Sequence, residues 1–111
     1  MSSSSEHLHG RYRVVLTDRS LEDLRSIRDY IARHSPDNAA RFLEKILLKL
    51  DILEAHPESF SLAPERSLVS YDLRQLIVRP YRILYRVIGR KVEILHVRHG
   101  ARQRASREEI E

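Results

Sequence analysis

Arginine dominates the chemistry available to this chain, recurring at Arg74, Arg79, Arg82, Arg86, Arg90, Arg98, Arg102 and Arg104 within VSYDLRQLIVRPYRILYRVIGRKVEILHVRHGARQR (69–104). Guanidinium groups hold phosphate through paired N–H donors and can stabilise a developing oxyanion. They stay protonated in water, so they cannot accept a proton in a reaction. Breaking RNA through its 2′-hydroxyl needs such an acceptor, and the candidates are His96 and His99. Three positions apart on a strand, they point to opposite faces and make a poor acid/base pair unless the strand ends early. Anchoring of strand ends or carbonyls is the simpler role for both imidazoles. No serine or cysteine nucleophile stands out, and no spacing suggests a metal or cofactor site. Gly89 and Gly100 are isolated turn residues and form no phosphate-cradling loop. Tyr81 and Tyr85 offer faces on which bases could stack, although strand aromatics more often pack within the sheet.

The elements that must position these residues follow from periodicity. Apolar residues alternate through the arginine-rich stretch, as a half-buried antiparallel sheet requires, and the other face would then be wet and strongly positive. Strands are expected over about 73–78, 82–88 and 92–97, with Pro80 in the first connection and Gly89-Arg90 in a tight turn. An earlier strand covers Tyr12 to Leu16, rich in β-branched and aromatic residues. A helix follows it, with Ser20 as cap, Asp23 imitating a capping box, and Leu24, Ile27 and Ile31 on one face. Ser35-Pro36-Asp37 starts a second helix, which runs to about Ala55 and stops before Pro57. Its core face carries Ala39, Phe42, Leu43, Ile46, Leu50 and Leu53. Leu48 and Ile52 fall on the opposite side near Arg41 and Lys45. Either another part of the chain covers them, or they form a groove for a partner's amphipathic segment. Residues 57–67 read as a surface loop.

Composition limits the class of molecule. A chain of 111 residues supports one domain with a core, and the absence of cysteine excludes disulfides and thiolate metal sites. No segment approaches the length of a spanning helix and no signal-peptide pattern follows the start, so a soluble cytoplasmic protein without membrane contact is expected. The net charge of +4 favours an acidic or polyanionic partner, while the 16 acidic residues keep charge alone from choosing which. Residues 1–10 read as a disordered leader, 11–104 as the domain, and 105–111 as a flexible tail. The order strand, helix, helix, three strands indicates an α+β fold with a helical hairpin on one face of a small, mainly antiparallel sheet.

DLRSIRDYI (23–31), SPDNAARFLEKI (35–46), Leu73-Arg74, PYRILYRV (80–87) and ILHVRHGAR (94–102), in that order, resemble a ParE/RelE superfamily toxin of a bacterial toxin–antitoxin system. Members similar to RelE cut messenger RNA on the ribosome. On that resemblance Arg82 and Arg102 occupy arginine positions of the site, with His96 or His99 left as its proton-transfer candidates. The lysine positions of that site fall at Leu73 and Gln75, and its C-terminal tyrosine position falls near Glu108.

The extended hairpin and the HVRHGAR ending resemble the ParE branch instead. That resemblance implies poisoning of DNA gyrase by binding, without bond chemistry and without a cofactor. It also implies a ParD-like antitoxin, whose C-terminal segment wraps the toxin and whose ribbon-helix-helix part binds operator DNA, so that DNA is contacted only indirectly. Leu48, Ile52, Arg74, Arg79, Arg82 and Arg86 are then expected to contribute to antitoxin contact. Arg98, His99, Arg102 and Arg104 are expected to contribute to target inhibition. A ribosome-dependent endoribonuclease, and a decayed toxin kept only as an antitoxin-binding module, are the alternatives.

Overall fold

The computed structural model describes residues 11–100 and 104–110. The expected leader at 1–10 and Arg102 lie outside them. Strand β1 (Arg13–Leu16) leads directly into helix α1 (Asp18–Ala32), followed by α2 (Pro36–Ala55), β2 (Arg74–Val78), β3 (Tyr81–Ile88), β4 (Lys91–His99) and a short α3 (Arg107–Ile110). The sheet order is β1-β4-β3-β2, with β1 parallel to β4 and the other pairs antiparallel. This is the expected α+β arrangement, a helical hairpin on a mixed sheet.

Local signals set the ends of α2. Ser35 accepts a hydrogen bond from Asn38 N–H at 3.1 Å, Pro36 occupies the first helical position, and the helix stops at Ala55 ahead of Pro57. Its inward face buries Ala39, Phe42, Ile46 and Leu53. Each of the large side chains contributes about 1.5–3 kcal/mol on leaving water. Helix α1 starts earlier than Ser20 predicts. Thr17 is the cap, accepting from Ser20 N–H at 3.2 Å, and Ser20 is buried in the first turn, its hydroxyl donating to Thr17 O. Asp23 therefore belongs to the body of the helix and is free of any capping duty.

Both faces of the sheet bury side chains, so the reverse face is not the wet, positive surface expected, although Ile77 and Ile88 on it stay exposed. On the helical side Phe42, Ile46 and Leu53 pack with Leu76, Val78, Tyr81, Ile83, Tyr85, Val92, Ile94 and Val97. On the reverse side Leu73, Leu84 and Leu95 meet Ala63, Ala105 and Ile110. The covering there comes from two stretches without strong periodicity. The expected surface loop at 57–67 runs into a 3₁₀ turn (Pro64–Leu68) that buries Glu65. Within the stretch expected as a flexible tail, Ala105 and Ile110 are buried, both 2% exposed, and Tyr71 Oη donates to Ile110 O at 2.9 Å.

The β3–β4 hairpin turns at Gly89, whose φ of +59° suits glycine. Leu95 is an extra residue on β4, since Leu84 faces His96 while Tyr85 faces Ile94. At the far end, Gly100 N–H donates to Pro80 O at 2.7 Å, and a Cβ on Gly100 would lie 3.2 Å from that oxygen. No helix among the described residues is long and apolar enough to cross a membrane.

Candidate functional site

Strand β1 pairs only with residues 91–94 of β4, so the last part of β4 would present an open edge on that side. Helix α1 closes it. Thr17 N–H and hydroxyl both donate to Ile94 O, and Val97 N–H donates to Asp23 Oδ2 at 2.9 Å. The same Asp23 oxygen takes a short hydrogen bond from His96 Nδ1. Between α1, the end of β4 and α3 lies a cleft of about 660 Å³, lined by Arg19, Asp23, Tyr30, Tyr81, His96, Arg98, His99 and Glu109 among others.

The charges in this cleft are tightly coupled. Arg98 Nη1 is 3.1 Å from Glu109 Oε1 and 3.3 Å from His96 Nε2. Arg19 reaches Asp23 at 3.3 Å and Glu109 at 3.4 Å. Burial pushes the Asp23 carboxyl up, but hydrogen bonds from His96 and Val97 and the charges of His96 and Arg19 outweigh it and hold the group below its ordinary value. Glu109 is lowered to about 2, first by the Ser106 N–H and then, against partial burial, by Arg98 and His96.

A second charged centre lies on the reverse face. Arg82 Nη2 meets Glu65 Oε2 at 2.6 Å, and Arg82 Nη1 donates to Gln75 Oε1 at 2.8 Å. Glu65 Oε2 also accepts Ala105 N–H at 2.8 Å, tying the C-terminal segment to this pair. Burial raises the Glu65 carboxyl, yet Arg82 and two backbone N–H groups bring it below its ordinary value. The pair is structural in placement, since the Glu65 side chain has no exposed surface.

Most of the arginines expected to be exposed are committed elsewhere. Arg74 donates to Phe60 O at 2.7 Å, and Arg86 pairs with Glu93 at 2.8 Å and lies over the Tyr71 ring at 4.7 Å. Arg82 and Arg98 are buried, whereas Arg79 and Arg104 are exposed. His96 and His99 lie on opposite faces, opposite Leu84 and Tyr81 respectively. His99 also packs edge-on against Tyr81, with ring centroids 5.5 Å apart. Both histidines nevertheless line the cleft, because it wraps around the edge of β4. Asp23 and Glu109 are the members of this centre that sequence reasoning missed. Asp23 meets a residue 73 positions away, and no local pattern announces that. No group of three or more histidine, aspartate or glutamate side chains suited to a metal occurs among the described residues.

A separate surface feature stands on α2. Leu48 is 64% exposed and Ile52 39%, one turn apart, and Leu47 beside them is 62% exposed. The covering considered for Leu48 and Ile52 is absent among the described residues, and an apolar ridge results.

Similarity to known proteins agrees with the fold and with the order of motifs. "Toxin RelE2" of Caulobacter vibrioides is 41% identical over 90 residues, 80% of this chain and 96% of that protein. "Putative toxin Y4kP" of Sinorhizobium fredii is 38% identical over 96 residues, covering 84% and 93%. Among solved structures, a toxin–antitoxin complex described as the chromosomal ParDE system from P. aeruginosa superposes with a TM-score of 0.66 at 21% identity, over 82% of this chain and 98% of that one. The archaeal RelE–RelB complex from Pyrococcus horikoshii OT3 gives 0.59 at 23% identity, over 84% and 99%. Residues 14–104 match the family model described as the ParE toxin of the type II toxin–antitoxin system parDE. On that match and on these relatives, the chain belongs to the ParE toxin family within the ParE/RelE superfamily.

Proposed function

We propose that this toxin acts by gripping its target, DNA gyrase, and performs no bond chemistry of its own. The supporting observation is how the reactive groups are spent. Arg82, which a RelE-like ribonuclease would turn towards phosphate, is buried against Glu65 at 2.6 Å. His96 is 4% exposed and held between Asp23 and Arg98, with both ring nitrogens engaged. A general base must reach the proton it removes, and a buried imidazole with both nitrogens occupied does not.

Neutralisation is assigned to a ParD-like antitoxin, whose C-terminal amphipathic segment lays its apolar face on Leu47, Leu48 and Ile52 and whose acidic residues meet Arg79. Operator DNA is contacted through the antitoxin, in the bacterial cytoplasm. Target inhibition is assigned to Arg98, His99, Arg102 and Arg104.

The competing reading is a ribosome-dependent endoribonuclease, favoured by the Asp23–His96 pair, since a carboxylate on Nδ1 is how a catalytic imidazole is oriented. Purified toxin separates the two. Inhibition of gyrase supercoiling with no message cleavage on translating ribosomes supports gripping; codon-dependent cleavage lost on His96→Ala overturns it. For the antitoxin, a folded Leu48→Asp, Ile52→Asp double variant should bind at least about 100-fold more weakly, as loss of a central apolar anchor does. Native affinity in that variant removes the ridge from the interface.

A further inference from the structure

Glu109 is surrounded as a bound anion would be. Its Oε1 accepts from Arg98 Nη1 at 3.1 Å and from Ser106 N–H at 2.8 Å, and its Oε2 lies 3.4 Å from Arg19 Nη2 and 3.9 Å from His96 Nε2. The Ser106 contact is ordinary capping of α3, a glutamate at the third helical position reaching back to the cap N–H. Capping does not require two arginines, from α1 and β4, to converge on the same group.

The carboxylate also leaves the site incomplete. Arg98 is 7% exposed, and its Nε has no hydrogen-bond partner among the described residues. A buried donor left unpaired is destabilising, and Arg98 lines the cleft, where an anion carries more acceptor oxygens than a carboxylate does. Charge favours such an exchange. Arg19 and Arg98 face Asp23 and Glu109 here, and with Glu109 turned away the cleft carries an excess positive charge. The helix need not leave, since Ile110 is buried and held by Tyr71 while the Glu109 side chain retains partial exposure.

We infer that Arg19 and Arg98 form a phosphate-binding site which the chain's own Glu109 occupies as a competing internal ligand. The phosphate is either free or the terminal group of a nucleotide. The cleft's 660 Å³ lies within the range of small-molecule sites, and Tyr30, 59% exposed, lines it and offers a base one aromatic face. This site is distinct from the Arg82 centre on the reverse face, and it does not depend on whether gyrase is the target.

The test is titration of the full chain, free of antitoxin, with inorganic phosphate and with adenosine 5′-monophosphate, followed by calorimetry and by backbone amide shifts. Glu109→Gln removes the competing charge and should tighten binding of at least one probe about ten-fold over the unsubstituted chain, a change of about 1.4 kcal/mol. Arg98→Gln in that background should abolish the gain. Because Arg98 is buried, Arg19→Gln, at a half-exposed position, serves as the second variant and should weaken binding even if Arg98→Gln fails to fold. Tighter binding of the nucleotide than of phosphate identifies a nucleotide site; equal binding identifies a site for phosphate alone. Absence of binding by Glu109→Gln at millimolar probe, or equal affinity with and without Glu109, overturns the inference.

Discussion

The two sides of the sheet solve the same burial problem with different materials. On the helical side, amphipathic α1 and α2 meet a continuous apolar surface centred on Phe42, Ile46, Leu53, Ile83 and Tyr85. On the reverse side, a 3₁₀ turn and a four-residue helix cover a smaller apolar patch, crossed by the Glu65–Arg82 pair and flanked by Arg98–Glu109. The difference teaches that alternation along a strand separates apolar from polar positions and does not separate wet from buried ones. A guanidinium reads as solvent-facing until a carboxylate from elsewhere in the chain is found beside it.

The sharpest way to break this comparison is to remove one partner of the reverse-side pair. Glu65→Ala leaves Arg82 buried without its counter-charge and Ala105 N–H without its acceptor. The expected loss is about 3–5 kcal/mol by denaturant unfolding. A loss below about 1 kcal/mol would mean that water reaches Arg82 and that this side is effectively wet. Replacing Glu65 and Arg82 together by Met should recover most of the loss, because no charge then remains to be desolvated.

On the helical side, Leu53→Ala is expected to cost about 2–5 kcal/mol through lost burial and the cavity left behind. Leu53 is fully buried. Thr17→Ala should cost about 1 kcal/mol as a lost helix cap. It tests whether α1 is anchored at Thr17, whose hydroxyl also donates to Ile94 O at 2.8 Å.

A smaller effect should appear with pH. Glu109 titrates at about 2 in the fold against an ordinary 4.5, so its stabilising contribution is complete above about 4.5 and is lost as pH falls through about 2. Urea midpoints of the native chain and of Glu109→Gln should therefore converge as acid is added across that window. A constant gap would detach Glu109 from Arg98. Smallest of all, Leu48→Asp should change folding stability by less than about 0.5 kcal/mol, as at other exposed positions, whatever it does to partner binding.

These contrasts also explain what could be read in the sequence. The ends of α2 were legible because Ser35, Pro36 and Pro57 act within a few residues of the helix they bound. The strands of the meander were legible because apolar alternation is local. Ser20 misled because a serine three residues before an acidic one imitates a cap, whereas Thr17, adjoining β1, does the capping. Asp23, Glu65 and Glu109 were not legible as site residues, since their partners His96, Arg82 and Arg98 come from other elements. The exposure of Leu48 and Ile52 could be framed but not decided, because the face opposite a helix's core stripe is open or covered according to the rest of the fold.

The parallel pairing of β1 with β4 bears on how the chain comes into being. Arg13 aligns with Lys91, so the first strand made has no sheet partner until the last strand has left the ribosome. Pairings this distant in sequence slow folding, because loop-closure entropy must be overcome before the contact is gained. The helical hairpin, formed from neighbouring residues, can assemble earlier, and its exposed Leu47–Ile52 ridge is then presented before the sheet is closed.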